Sequence, residues 1–265
     1  MTALAARRPA GHYRFRHLAH MEFIKLRTLR STWWTLAISA AGAVAIGVAV
    51  GLNTRSGTED LTNNALAGLI PALLLSGVLG ALLMTSEYSS GMIRSTLAAA
   101  PRRPLLLAAK AAVFGAVALA FGEAASFIAF FAGGAALRHG ISAPALSQPG
   151  VLRAVVFGGA GYCLLGLIGL GLGAIIRHSA ATIAVYVGCL FVLPTFIGNL
   201  VHQVGVYLPI IIVGNSLTTT QPAVCRPGAA NCTPFLSAWA GLGVLALYAA
   251  VALAVGGWLF ARRDA

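Results

Sequence analysis

Long apolar segments, interrupted only by short polar ones, are the feature that most limits how this chain can fold. Of its 265 residues, 58% are hydrophobic and only 9% are charged, whereas soluble domains carry about 25% charged residues. A helix of about 20 apolar residues crosses the ~30 Å hydrocarbon core of a bilayer. Six segments are long enough, at residues 33–52, 65–84, 105–137, 151–176, 180–200 and 239–260.

The sequence therefore predicts an all-α polytopic membrane protein with six transmembrane helices. These helices form one domain, residues 33–260, which follows an N-terminal region, residues 1–32, and precedes a short tail, residues 261–265.

The basic residues are distributed unevenly between the two ends of the predicted helices. With both termini on one side, fourteen of the eighteen Lys and Arg residues fall on that side and four on the other. Because basic loops remain in the cytoplasm during insertion, both termini are predicted to be cytoplasmic in a multi-pass protein of the plasma membrane. The same asymmetry accounts for the net charge of +12. No basic patch interleaved with aromatic residues indicates a nucleic acid as partner.

Residues 14–31 predict a basic amphipathic helix at the membrane interface. Its apolar side chains gather within a roughly 140° arc, basic side chains take most of the rest, and Glu22 interrupts the arc. Such a helix reaches lipid phosphates through Arg and Lys, and a Trp pair after it marks an interface belt. A plain anchor and a helix that also packs on a partner both remain open. The predicted interface residues are Phe15, Leu18, Phe23, Lys25, Leu26, Arg27, Leu29, Arg30, Trp33 and Trp34.

The interior segment from residue 86 to residue 110 combines charges with turn residues. If the rest of the chain lies in lipid, this segment is where a soluble partner can act on it. A solvated loop that obeys the positive-inside rule would explain its arginines, but not Glu87 or the apolar Met92 and Ile93. The candidate docking residues are Glu87, Tyr88, Gly91, Met92, Ile93, Arg94, Thr96, Leu97, Pro101, Arg102 and Arg103.

Glu123 is predicted to lie at membrane depth, among small residues of the third apolar segment. An unpaired acid there costs on the order of 3 kcal/mol, so its side chain is expected to face protein or water. It could line a translocation path, or it could be a buried carboxyl that is protonated or hydrogen-bonded to a neighbouring helix.

The chain between residues 201 and 237 does not contain a clean span. Its apolar run at residues 204–213 is too short to cross, which predicts a re-entrant or interface-buried pair of short helices. Cys225 and Cys232 fall in the same outer loop and could form a disulfide on an oxidising face.

Catalytic motifs are missing from the sequence. The two lysines, Lys25 and Lys110, do not follow a glycine-rich run, so the chain has no phosphate-binding Gly-Lys-Ser/Thr loop. HExxH, CxxC and GxSxG spacings are also missing. The chain is accordingly expected to bear no catalytic residue or metal site and to bind no cofactor of its own.

Two motifs give the sequence its resemblance to a known family. EFIKLRTLRSTWW, residues 22–34, and EYSSGMIRSTLAAAPRRPLLLAAK, residues 87–110, resemble the N-terminal amphipathic helix and the coupling segment of the permease subunit of type-2 ATP-binding-cassette exporters, which have the type V fold. The six predicted spans and the re-entrant outer segment fit the same architecture.

This resemblance implies that the docking residues form a coupling helix between spans 2 and 3. That helix would sit in a groove of a separate ATPase subunit, which uses ATP and Mg²⁺, and the permease would form a homo- or heterodimer. The exported substrate would be a lipid, a peptide or an amphipathic drug-like molecule. Two other functions remain open, a secondary transporter or channel that works without an ATPase, and a membrane scaffold subunit that transports nothing.

Overall fold

The residues described by the computed structural model fold as a bundle of α-helices. These residues are 14–99, 102–138, 140–194, 196, 205–219 and 236–262, and no strand occurs among them. The α-helices in chain order are α1 Phe15–Thr28, α2 Arg30–Asn53, α3 Leu61–Leu66, α4 Leu69–Ser89, α5 Met92–Ala99, α6 Arg103–Ala135, α7 Val151–Ile176, α8 Ser179–Val187, α9 Pro209–Ser216 and α10 Ala238–Arg262.

Within the described residues, five helical segments are long and apolar enough to cross a membrane. The prediction of an all-helical membrane protein is confirmed at that level. The five segments are Arg30–Asn53, Leu61–Ser89, Arg103–Ala135, Val151–Ile176 and Ala238–Arg262. Of the predicted fifth span, residues 180–200, the structure describes α8, a π-helical turn at Gly188–Val192 and a few further residues. A sixth crossing therefore remains a prediction.

Helix α7 is the centre of the bundle, since it packs against α4, α6 and α10. Glycines allow α4 and α7 to approach closely. A Cβ atom on Gly169 would collide with the carbonyl oxygen of Gly77, and one on Gly80 would collide with that of Gly166. Small residues at such crossings let helix backbones pack without intervening side chains, which drives association inside lipid. The glycine-rich composition of α7 therefore serves packing.

Polar side chains inside the bundle find partners on neighbouring helices. The Ser76 hydroxyl donates to the carbonyl of Tyr162 at 2.5 Å, and the Tyr162 hydroxyl lies 3.0 Å from Ser39 Oγ. Ser126 donates to the carbonyl of Val155 at 2.7 Å, and Tyr186 to that of Leu73 at 3.1 Å. Hydrocarbon offers no hydrogen bonds, so each such group needs a protein partner. These bonds fix the relative positions of α2, α4, α6, α7 and α8.

The predicted re-entrant segment contains the eight-residue helix α9, which is too short to cross a bilayer. The residues that follow it are tied to the bundle. Asp60 accepts hydrogen bonds from the backbone nitrogen of Thr219 at 2.6 Å and from its hydroxyl at 2.9 Å. Arg153 donates to the carbonyl of Thr218 at 2.7 Å. Cys225 and Cys232, the predicted disulfide, lie outside the described residues.

Candidate functional site: a buried ionic cluster

Four charged side chains from three helices meet at one end of the bundle. Glu22 and Lys25 come from α1, Glu87 from the last turn of α4, and Lys110 from the third turn of α6. Lys110 Nζ lies 2.6 Å from Glu22 Oε2 and 2.7 Å from Glu87 Oε1. Lys25 Nζ lies 3.1 Å from Glu22 Oε1 and 3.0 Å from Glu87 Oε1. We call this group the ionic cluster; it contains both lysines of the chain.

The cluster is a closed ring of alternating charge. Each lysine contacts both carboxylates, so the four formal charges cancel. The side chains of Glu22, Glu87 and Lys110 are 4%, 3% and 6% exposed, whereas that of Lys25 is 24% exposed. Desolvation of charges this deeply buried is offset only when each finds a close partner of opposite sign. The ring therefore holds α1, α4 and α6 in one relative position.

The spacing of α1 residues explains why Glu22 can sit in an apolar arc. Leu18, Glu22 and Leu26 are the buried residues of α1 and follow one another at four-residue intervals, so they form one stripe. This stripe faces α6, and Lys110 supplies the opposite charge at the level of Glu22. Glu22 is thus an internal contact residue, which the sequence pattern showed only as an irregularity.

The electrostatic state of Lys25 follows from its two neighbours. Burial by itself would lower the pKa of Lys25, but the carboxylates of Glu22 and Glu87 together raise that pKa above its usual value. Lys25 is therefore charged throughout the physiological range. One carboxylate oxygen of the ionic cluster, Glu87 Oε2, is buried and has no hydrogen-bond partner among the described residues.

Glu87 is not placed where a soluble partner could bind it. The sequence suggested that Glu87 opens a loop and pairs with charges on a partner, but α4 continues to Ser89 and the residue is 2% exposed. Its carboxylate instead pairs with Lys25 and Lys110. Lys110 is likewise buried inside the protein, where Glu22 and Glu87 bind it.

The neighbouring Tyr88 contacts Arg177, the residue that ends α7 in the left-handed conformation. The guanidinium carbon of Arg177 lies 5.2 Å from the Tyr88 ring centroid, a distance suited to a cation–π contact. Arg177 also donates to the carbonyl of Leu259 near the end of α10. The end of α4 is thereby linked to the ends of α7 and α10.

Helix α5 follows the cluster directly and has one buried and one exposed face. Gly91 adopts a positive φ of 70° at the turn that precedes it, a conformation that glycine adopts without strain. Ile93 and Thr96 are buried, whereas Met92 and Arg94 are exposed. Leu97 is half-buried and packs at the edge of the core. The exposed face of α5 is therefore short, basic at Arg94 and apolar at Met92.

The two arginines after α5 have different surroundings. Arg102 is exposed and precedes the first residue of α6. Arg103 is half-buried and donates to the carbonyl of Phe260 at 3.4 Å, near the C-terminal end of α10. A cation at that position suits the partial negative charge of a helix C-terminus. Pro101 lies outside the described residues.

The predicted interface helix has three faces instead of two. Besides the buried stripe and the basic side chains, Phe15, Phe23 and Leu29 are 44–47% exposed although they are apolar. The exposed Trp33 and Trp34 extend this surface at the start of α2, while Arg27 and Arg30 are exposed beside it. An apolar and basic surface of this kind suits a membrane interface.

Glu123 lies on α6, away from the cluster, and is partly buried. It makes no hydrogen bond or ion pair within the described part of the chain. A Cβ atom on Gly159 of α7 would come within 2.5 Å of the Glu123 carboxyl carbon, so the missing side chain leaves the space that the carboxyl occupies. The carboxyl therefore packs against a glycine of the neighbouring helix, which has no side chain to bond it.

Sequence reasoning missed the cluster because its members are 62 and 88 residues apart in the chain. A usable signal was present, since the chain has only two lysines and the acids Glu22 and Glu87 each break a local pattern. Among the described residues, no group of three His, Cys, Asp or Glu side chains could hold a metal ion.

Comparison with known proteins adds no further constraint, as no family model matches the sequence and no curated protein is significantly similar to it. The fold and site define a membrane-embedded helical protein in which one buried ionic cluster joins three helices.

Proposed function

We propose that the chain is the permease subunit of an ATP-binding-cassette exporter driven by a separate ATPase. The observation that carries this proposal is the position of the ionic cluster relative to α5. The cluster joins the membrane-surface helix α1 to the last turn of α4, and α5 begins three residues after that turn ends. A force applied to α5 from outside would therefore reach α1, α4 and α6 together.

Helix α5 has the features that a docking helix requires. It presents Met92 and Arg94 outward, while Ile93 and Thr96 attach it to the bundle. A small exposed patch that combines an apolar side chain with Arg suits a groove on a soluble protein. In this proposal the partner contacts are Met92, Arg94 and Arg102, and Glu87 acts inside the protein as a transmission residue.

The remaining architecture is proposed in agreement with this role. Residues 180–200 complete a sixth span, α9 belongs to a re-entrant outer segment, and both termini are cytoplasmic. Two permease chains pair in the plasma membrane, as a homo- or heterodimer, and bind two ATPase subunits that hold ATP and Mg²⁺. Closure of the ATPase subunits tilts the α5 helices and opens a path for a lipid, a peptide or an amphipathic molecule.

The docking role is tested with charge reversal at two exposed positions. The neighbouring reading frames are first searched for an ATP-binding-cassette ATPase. That ATPase is then co-expressed with the full chain, and its co-purification and ATP hydrolysis are measured in proteoliposomes. Arg94→Glu combined with Arg102→Glu is expected to reduce ATPase binding at least about tenfold. The acidic groups of the partner that pair with these arginines would then face charges of the same sign, and like charges at an interface repel. Arg55→Glu, which also reverses an exposed arginine but lies between α2 and α3, should bind like the unaltered chain.

Two results would refute the proposal. One is normal ATPase binding and stimulated hydrolysis by the double variant. The other is substrate flux through the purified chain in vesicles that contain no ATPase. Co-purification of the ATPase without any flux would instead indicate a scaffold subunit.

Glu123 favours a second candidate function, ion-coupled secondary transport. An acid at membrane depth without a partner is a feature of proton and ion pathways. This function predicts flux driven by a pH gradient in the absence of ATP, and loss of that flux in Glu123→Gln. The ionic cluster favours the exporter over ion-coupled transport. Its four charges are already paired with one another, and α5 follows the cluster directly in the chain.

A further inference from the structure

An apolar cavity of about 230 Å³ lies in the angle between α1 and α2. The two helices are separated only by Leu29, whose extended backbone turns the chain. The indole nitrogen of Trp33 donates to the carbonyl of Arg27 at 3.0 Å and thereby fixes the ring across this angle. We call this space the elbow cavity; its walls are Phe23, Leu26, Arg27, Thr32, Trp33, Leu36 and Val117.

The size and lining of the elbow cavity limit what it can hold. Ligand pockets for drug-sized molecules measure about 300–1,000 Å³, whereas a cavity of about 150 Å³ holds a benzene ring. The elbow cavity falls between these sizes, so it suits a segment of hydrocarbon chain. Leu26, Thr32 and Leu36 at its inner wall are 2–7% exposed, whereas Trp33 is 54% exposed. The cavity is thus closed towards the bundle and open towards the surroundings.

The electrostatics of the opening favour an anionic headgroup. Arg27 lines the cavity, and its guanidinium makes no hydrogen bond or ion pair with any described residue. Glu22, the one acid of α1, is occupied by Lys25 and Lys110 and cannot neutralise it. A guanidinium binds phosphate oxygens with two parallel hydrogen bonds. The surface therefore combines an apolar slot with an exposed arginine in its wall, and this arginine can bind a phosphate.

We propose that the elbow cavity is a binding site for an anionic glycerophospholipid. One acyl chain fills the space between Phe23, Trp33 and Val117, and the phosphate binds Arg27. The lipid comes from the leaflet that α1 contacts. Such a lipid would brace α1 against α2 and α6, and so would support the ionic cluster from its outer side. This inference does not depend on the chain being a permease.

Fluorescence of Trp33 tests the proposal, because this indole is itself a wall of the cavity. The full chain carrying Trp34→Phe, Trp239→Phe and Trp258→Phe keeps Trp33 as its single tryptophan. It is placed in phosphatidylcholine vesicles with a small, fixed fraction of either brominated phosphatidylglycerol or brominated phosphatidylcholine. Bromine quenches indole fluorescence on contact, so the quenching reports occupancy by each lipid.

The phosphatidylglycerol probe is expected to occupy the site about fivefold more readily than the phosphatidylcholine probe, the factor for one basic residue at an anionic membrane surface. Arg27→Gln should reduce this preference to near unity. Arg16→Gln is the matched control, since Arg16 is an exposed arginine of the same helix outside the cavity wall. Equal quenching by both lipids in the starting protein, or an unchanged preference in Arg27→Gln, would overturn the proposal.

A second pair of variants tests the apolar part of the site. Val117→Phe adds a ring to the cavity wall and is expected to lower quenching by both lipids. Leu119→Phe adds similar bulk on the same helix, at a 42% exposed position outside the cavity, and should leave quenching unchanged. Equal effects of the two substitutions would contradict insertion of an acyl chain between these walls. The Phe substitutions retain an apolar surface, and the emission of Trp33 in pure phosphatidylcholine verifies the fold of each variant.

Discussion

Replacing Lys110 with methionine is the sharpest test of the ionic cluster. Methionine has nearly the length of lysine without its charge, so packing is largely kept while both ion pairs of Lys110 are lost. The side chain is only 6% exposed, and its partners lie 2.6 and 2.7 Å away. The remaining ring would hold two carboxylates and one lysine, with a net charge of −1 in a desolvated site.

The magnitude follows from the burial of the charges that remain. Removing one member of a buried ion pair costs about 3–5 kcal/mol, because its partner is left uncompensated. With about 2–4 °C of melting temperature per kcal/mol for proteins of this size, the expected fall is roughly 6–20 °C. Partial uptake of a proton by Glu22 or Glu87 would place the result towards the lower limit.

The assay is thermal unfolding of the purified chain in detergent micelles, followed by circular dichroism at a fixed scan rate. Arg16→Met is the matched control, because it removes an exposed cation from α1 and should change stability by less than about 0.5 kcal/mol. Adding Glu87→Gln to Lys110→Met restores a neutral pair of Glu22 and Lys25. The double variant should therefore recover part of the loss, with a coupling of about 0.5–3 kcal/mol.

Two outcomes would refute this reasoning about the cluster. The first is a melting temperature of Lys110→Met that equals that of Arg16→Met. The second is a double variant that is no more stable than Lys110→Met alone.

Three further predictions follow from single positions. Glu22 and Glu87 raise the pKa of Lys25, so the contribution of this lysine to stability is complete below the unfolded-state pKa of about 10.4 and is lost as pH rises through the folded-state pKa. Above about pH 10.4, the melting temperature of the unaltered chain should therefore fall more steeply with pH than that of Lys25→Met. Glu123→Gln should raise the melting temperature, since insertion scales assign a cost on the order of 3 kcal/mol to an unpaired charge at membrane depth. An unchanged or lower melting temperature would show that the carboxyl is already neutral or hydrogen-bonded. Gly169→Ala should destabilise the chain, because its Cβ would strike the α4 backbone. Gly42→Ala has open space around it and should increase the free energy of unfolding by about 0.5–1 kcal/mol through helix propensity. Equal effects of the two substitutions in the same scans would contradict the close packing of α4 and α7.

The helical membrane architecture could be read from local sequence because it depends on local quantities. Hydrocarbon solvates no backbone polar group, so any apolar segment of sufficient length must form a helix. The predicted fourth span, residues 151–176, coincides with α7 for this reason. The amphipathic helix at residues 14–31 was also visible as α1, since its pattern repeats every turn.

The boundary between span and loop was less accessible. The third span was predicted from residue 105, and α6 begins at Arg103. The second span was predicted to end at residue 84, but α4 reaches Ser89. A charged residue such as Glu87 normally marks the end of an apolar helix in a sequence. Here it remains helical because it finds its opposite charge on another helix, and helix propensity does not contain that information.

The sequence by itself determined that this chain forms long apolar helices with a basic, amphipathic helix before them. It also determined that the chain contains two lysines and few acids, so that each charge in an apolar setting needs an explanation. Only the tertiary structure decided that Glu22, Lys25, Glu87 and Lys110 belong together, and that Glu123 does not belong with them. The physical reason is that helix formation depends on residues within a few turns, whereas the desolvation and pairing of buried charges depend on which helices pack side by side.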